Sequence, residues 1–203
     1  EPDWIVYLAA AFADPAVGFA MGEVCYVRRG YRGYFPERVV TNPGAAWPKG
    51  CNLAYRREVF SQCGGFRDEY FWRYQNEDTE MAIRAVVAGW RFVRVPAAVV
   101  CHQPARWTVP QLSRTADNAA VWPHLKRAYP RHFRTFGGPA RRGWVVHPAD
   151  YLLLVAMPVV LPVLLARYLI HGGRDVRLFF TKWPLLLLRR RRAIYAAAMS
   201  CRT

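Results

Sequence analysis

The 203-residue sequence predicts an α/β domain followed by a helical C-terminal region that is both apolar and basic. Three observations carry that reading. Short β-rich runs alternate with short helical patterns over residues 1–105, as in α/β folds. Past that point helical runs take over, among them 16 uncharged residues from Tyr151 to Ala166. The charge divides at the same place. Residues 1–105 hold 12 Lys+Arg against 11 Asp+Glu, whereas residues 106–203 hold 17 against 3.

Each element follows from its local pattern. Ile5 to Phe12 is apolar and Ala-rich, and Asp14-Pro15 should end it as a helix. Val17 to Val27 mixes Val, Phe, Cys and Tyr as a strand does. Arg28 to Trp47 is rich in Arg, Gly, Pro and Asn and reads as a long loop. Gly50 to Tyr55 is a short strand. Arg57 to Cys63 is a short helix, stopped at Gly64-Gly65 by the positive φ that glycine allows. A second helix runs from near Asn76 to Ala88 and ends at Gly89. Arg91 to Cys101 is β-rich, broken by Pro96. Val109 to Phe136 is helical with interruptions expected at Pro123 and Pro130, and Gly137 to Gly143 reads as a linker. The domains expected are therefore 1–107, a helical extension and linker over 108–145, and an apolar and basic helical region over 146–203.

Composition removes several classes. With 53% hydrophobic and 15% aromatic residues, the chain has the apolar surface that disordered chains lack. Its 14 Gly and 15 Pro follow no collagen-like period. The five cysteines are odd in number and form no C-x-x-C pair, so they read as reduced thiols in a cytosolic setting. There is no initiator Met and no signal-peptide pattern, and Glu1-Pro2-Asp3-Trp4 reads as the middle of a domain. The first half of that domain is expected to lie upstream, which would leave this stretch inactive alone.

The chemistry concentrates in residues 49–102. Glu77 and Asp78 fall in the first turn of a predicted helix. Carboxylates there complement the helix dipole, worth about 0.3–1 kcal/mol. The same position can hold a carboxylate rigidly in a cleft, where it could take the proton of an attacking hydroxyl. Gly64-Gly65-Phe66 works as a helix stop plus a core anchor, and Gly50 would let backbone approach a ligand closely. His102 ends an apolar strand, and an imidazole suits Mn²⁺ better than Mg²⁺.

KGCNLAYRREVF, CGGFRDEYF, NEDTEMAIRAVVAGWRFVRVP and VVCH, in this order and at these distances, resemble the second half of a family 2 glycosyltransferase domain with the GT-A fold. GT-A is a Rossmann-like nucleotide-diphospho-sugar transferase fold. The resemblance covers about residues 1–105. It implies inverting transfer of a sugar from a nucleotide-sugar donor to a hydroxyl of a saccharide or lipid-linked acceptor. It gives the general base to Asp78, with Glu77 second. It places Gly50 at the donor sugar and Gly64, Gly65 and Phe66 beside the acceptor, with Asn52 as a further donor or acceptor contact. It also implies a divalent metal, Mn²⁺ or Mg²⁺, with His102 as a ligand. The family's Asp-x-Asp motif, the other metal handle, does not occur in this sequence.

Gln103 to Trp107 spells Q-x-x-R-W, a string of processive polysaccharide synthases, which makes Arg106 and Trp107 candidate acceptor contacts and such a synthase the alternative reading. Pro104 disfavours the helix that normally carries the string. The uncharged run is somewhat short for a span of about 20 residues. Arg141-Arg142 and Arg189 to Arg192 flank it, so an anionic membrane surface on the cytoplasmic face is the expected partner; a buried soluble helix is the alternative. A nucleic-acid-binding module would suit the charge, but the basic half has long apolar runs and no recognisable nucleic-acid motif, so no nucleic-acid partner is expected.

Overall fold

The computed structural model describes residues 2–26, 35–42, 48, 50–70, 75–135 and 148–201. Most of the expected loop Arg28 to Trp47, the linker Gly137 to Gly143, Arg141-Arg142 and the 145/146 boundary lie outside these residues. Two units are present. The first holds Glu1–Gly30, Val39–Pro104 and Arg131–Phe136; the second holds Tyr31–Arg38, Ala105–Pro130 and Gly137–Thr203.

In the first unit, helix α1 (Trp4–Ala10) continues as a 3₁₀ turn to Ala13, and strand β1 (Val17–Tyr26) follows. A 3₁₀ turn (Gly50–Asn52) leads into β3 (Leu53–Tyr55), followed by α2 (Arg57–Cys63), α3 (Glu77–Val87) and β4 (Arg91–His102). The sheet order is β3-β1-β4. β1 runs parallel to β4 and antiparallel to β3, with Phe19 opposite Tyr55. Because β1 is central, residues 17–22 are buried on both faces. Phe19 looks to one side, stacked 5.3 Å from Tyr55 and 4.9 Å from Phe92, over Val59, Met81, Ala82 and Ala85. Ala20, one residue on, looks to the other side and packs with Leu8 and Ala98.

The β1–β4 register breaks between Gly22 and Glu23, whose partners are Val95 and Val99. Pro96 therefore falls in a bulge, which is where a sheet tolerates proline. Asn52 is 3% exposed and staples this bulge, its Nδ2 donating to Glu23 O (2.9 Å) and Ala98 O (2.8 Å). On β1, Asn42 donates to Gly22 O (2.8 Å) and accepts from Val24 N (2.6 Å) just past the residues paired with β3. Nothing in the local sequence pattern announces either amide.

In the second unit, β2 (Glu37–Arg38) pairs antiparallel with β5 (Ala105–Arg106). Helix α4 (Val109–Asp117) starts on a capping box of Thr108 and Gln111. A 3₁₀ turn joins it to α5 (Val121–Ala128). The interruption expected at Pro123 falls earlier, at Asn118–Ala120, because Pro123 lies in the first turn of α5 where its missing N–H costs nothing. Pro130 does mark a break, opening α6 (Pro130–Thr135), whose residues from Arg131 onward belong to the first unit.

Helix α7 (Pro148–Ile170) is longer than the uncharged run and contains Pro158 and Pro162. Met157 and Tyr168 are buried, while Leu152, Val155, Val159, Val163 and Ile170 are 64–80% exposed. A helix apolar all round normally has protein or lipid on every side; here one long face has no protein cover. α8 (Val176–Phe180), capped by Asp175, passes through a kink at Trp183 (φ −135°, ψ 112°) into α9 (Leu186–Ser200). Arg189 clamps Asp117 of α4 with two 2.7 Å bonds.

Candidate active site

Asp78 is built into its place from two directions. The first turn of α3 presents Glu77, Asp78 and Glu80 at its free N–H groups. Asp78 Oδ1 accepts from Thr79 N (2.6 Å), and Oδ2 accepts from Gly50 N (2.7 Å) across 28 residues of chain. Two of the roughly four acceptor positions of the carboxylate are thereby filled and two are left. Gly50 has to be small here, since a Cβ on it would stand 3.2 Å from Asp78 Oδ2. The glycine and the carboxylate predicted for the donor sugar and the base are direct partners.

Glu77 differs from its neighbour. Its Oε2 is buried and makes no hydrogen bond among the described residues. Asn52 Oδ1 is in the same condition. A buried oxygen without a partner is unusual and calls for a group that completes it.

The Gly64-Gly65 turn has left-handed φ values of 78° and 73°, which only glycine adopts without strain. Arg84 of α3 holds the turn, donating to Gly65 O (2.7 Å) and to Cys63 O. Fully buried Glu80 fixes Arg84 in turn, at 2.6 Å, with Arg67 3.6 Å away. Glu80 and Arg84 were not among the residues singled out above; their i, i+4 opposite-charge spacing on a helix is the signal that could have found them. Past the turn, Phe66 is 47% exposed and sits edge-on to Tyr55 and Phe60. Tyr55 lies beneath, its hydroxyl 3.4 Å from Asp78 O. Burial, and then the Asp78 carboxylate, push the Tyr55 phenol far above its ordinary range, so it stays protonated and a donor.

His102 ends β4, with Nδ1 2.7 Å from Gln103 O. In the tautomer that donates this bond, Nε2 is left as a possible ligand. Among the described residues no three His, Cys, Asp or Glu side chains gather as a metal site. The residues present thus offer one ring nitrogen and do not by themselves fit a metal.

Arg106 and Trp107 belong to the second unit, not to the one that holds Asp78. Arg106 is opposite Glu37 in the β2–β5 ribbon, and the Trp107 N–H donates to Pro36 O (2.9 Å). The Arg38 guanidinium and the Lys182 ammonium stand over the Trp107 ring at 5.3 and 5.5 Å, within cation–π range. Arg106 ends a strand and Trp107 follows it, so no helix carries the Arg-Trp pair.

The first unit thus combines a glycine-pinned carboxylate at a helix start with a β3-β1-β4 sheet. Residues 46–104 match the family described as the N-terminal domain of galactosyltransferase. Over 62 residues the chain is 42% identical to N-acetylglucosaminyl-diphospho-decaprenol L-rhamnosyltransferase of Mycobacterium tuberculosis, in two strains. That stretch is 30% of this chain and 20% of the relative, so about one fifth of the curated relative is matched. Among solved structures, a mannosyltransferase from Pyrobaculum calidifontis in complex with GDP-Man and Mn²⁺ superposes with a TM-score of 0.54 at 18% identity, covering 96% of this chain and 58% of that one. The chain has an α/β domain of the GT-A fold, followed by a helical C-terminal region.

Proposed function

We propose that the protein is an inverting, family 2-like glycosyltransferase that moves a sugar from a nucleotide-sugar donor to a hydroxyl of a lipid-linked or saccharide acceptor. The observation that carries this is the Gly50–Asp78 bond, which fixes a carboxylate while leaving it free acceptor positions. A sugar hydroxyl is a weak nucleophile until its proton has an acceptor, and a held carboxylate supplies one. The donor reading is supported by the Pyrobaculum enzyme, which was captured with GDP-Man and Mn²⁺. The lipid-linked acceptor is supported by the rhamnosyltransferase, whose name specifies a diphospho-decaprenol carrier. Gly64, Gly65 and Phe66 border the acceptor, and Gly50 with Asn52 borders the donor. A divalent metal would draw on His102 together with ligands outside the described residues. The buried, unpaired Oε2 of Glu77 favours a second assignment, in which Glu77 is the base and Asp78 orients it.

The same proposal attaches the protein to the cytoplasmic face of a membrane. Its support is α7, a 20-residue stretch from Tyr151 to Ile170 with mean hydropathy 2.3 and little burial, which would rise about 30 Å, the thickness of a bilayer core.

The test is transfer itself. Protein carrying this chain is incubated with labelled nucleotide sugars and a membrane lipid extract. Label in the lipid phase with inverted anomeric configuration supports the reading; a retained anomer, or no transfer from any nucleotide sugar, overturns it.

A further inference from the structure

The second unit contains a cavity of about 930 Å³ that the transfer chemistry above does not use. Three helices line it with one stripe each. α4 contributes Val109, Ser113 and Asp117, spaced by four. α8 contributes Arg177 and Phe180. Leu185, just before α9, and α9 itself contribute a face running from Leu186 through Arg189, Arg192 and Ala193 to Ala196. Leucine, phenylalanine, valine and alanine give the walls an apolar character. Three guanidiniums share the cavity with a single carboxylate, and that carboxylate is already clamped by Arg189. Arg177 and Arg192 are exposed and their guanidiniums have no ion pair or hydrogen bond among the described residues.

We propose that this cavity seats a single-chain lipid phosphate, with the apolar chain against Phe180 and the leucines and alanines of the α9 side and the phosphate between Arg177 and Arg192. Charge complementarity selects the occupant. An apolar peptide would leave two cations unanswered, and an inorganic anion would leave the apolar walls wet. Arginine forks match phosphate oxygens in pairs. The volume falls in the range of sites that enclose most of a drug-sized molecule, enough for a phosphate and the first segment of a long chain. The uncovered apolar face of α7, in the same unit, belongs to a surface that meets lipid. This inference deepens the transferase reading by giving a phosphate-bearing acceptor lipid a seat, and it rests on that reading for the acceptor role alone.

Native mass spectrometry of the protein released from dodecyl maltoside, titrated with dodecyl phosphate, tests it without any sugar transfer, so either proposal can fail while the other stands. One dodecyl phosphate should bind per chain, and excess dodecyl maltoside or inorganic phosphate should not displace it. Arg177→Gln with Arg192→Gln should weaken binding about tenfold or more, as loss of charge-assisted bonds implies. Ala193→Trp, which fills the cavity, should abolish it. Arg174→Gln, outside the cavity, should change nothing. Circular dichroism confirms that each variant is folded; because Arg177 and Arg192 are exposed, their loss leaves the core intact. Undiminished binding by the double glutamine variant, or equal displacement by dodecyl maltoside, overturns the proposal.

Discussion

Asp78 and Gly50 act as one device, so substitutions at either should be read in turnover rather than in stability. Asp78→Asn keeps the shape and removes the proposed proton acceptor, and turnover should fall about 10²-fold or more with donor binding kept. Glu77→Gln should cost less; if it costs more than Asp78→Asn, the base is Glu77, as its unpaired oxygen would then explain. Gly50→Ala places a methyl 3.2 Å from the carboxylate, so Asp78 must shift by a few tenths of an ångström. Because misplacement by about 1 Å can cost 10²-fold, a loss of about tenfold in turnover is expected, checked by steady-state kinetics beside an unchanged thermal melt.

Helix α3 joins the two halves of the candidate site, its first turn carrying Asp78 and its third turn holding the Gly64-Gly65 corner through Arg84. Arg84→Ala would remove the partner that holds fully buried Glu80 at 2.6 Å. The loss should be about 3 kcal/mol, seen as a lower urea midpoint, together with a raised KM for the acceptor as the Phe66 corner loosens. A stable variant with unchanged KM would show that Arg84 does not position the corner. At this scale much was legible in the residues. α1, β1, α2, α3 and β4 stand where Ala-rich, β-branched and glycine-stopped runs predicted them. What could not be read were tertiary bonds between distant side chains and backbone. The family resemblance put Asn52 among the binding residues, and its Nδ2 also spans a bulge that no local pattern encodes. Gly50 was predicted as a close backbone approach to a ligand, and the group it approaches is Asp78.

At the scale of the molecule, the proposed membrane attachment would divide into an apolar and an electrostatic contribution, and the structure changes how the second is drawn. Arg189 to Arg192 reads in sequence as one cationic cluster, but the helix distributes it. Arg189 is tied to Asp117, Arg191 is buried with its guanidinium 4.2 Å from the Tyr151 ring centroid, and Arg192 is exposed. The whole run cannot be removed as a test of charge without breaking α9 from its neighbours. Arg192→Gln alone removes about 1 kcal/mol of attraction to an anionic leaflet, so binding to anionic vesicles should fall about fivefold and binding to neutral vesicles should not change. High salt should screen that contribution over about 8 Å and still leave protein on the vesicles, since Val155, Val159 and Val163 keep their apolar surface. Val155→Asp with Val159→Asp should release it, because an acidic residue at the centre of a spanning helix costs about 2.5–3.5 kcal/mol. Sedimentation with vesicles of defined composition reads all three. Protein that washes off in moderate salt, or an aspartate variant that still pellets, would exclude α7 as the anchor and leave the basic residues as the whole attraction.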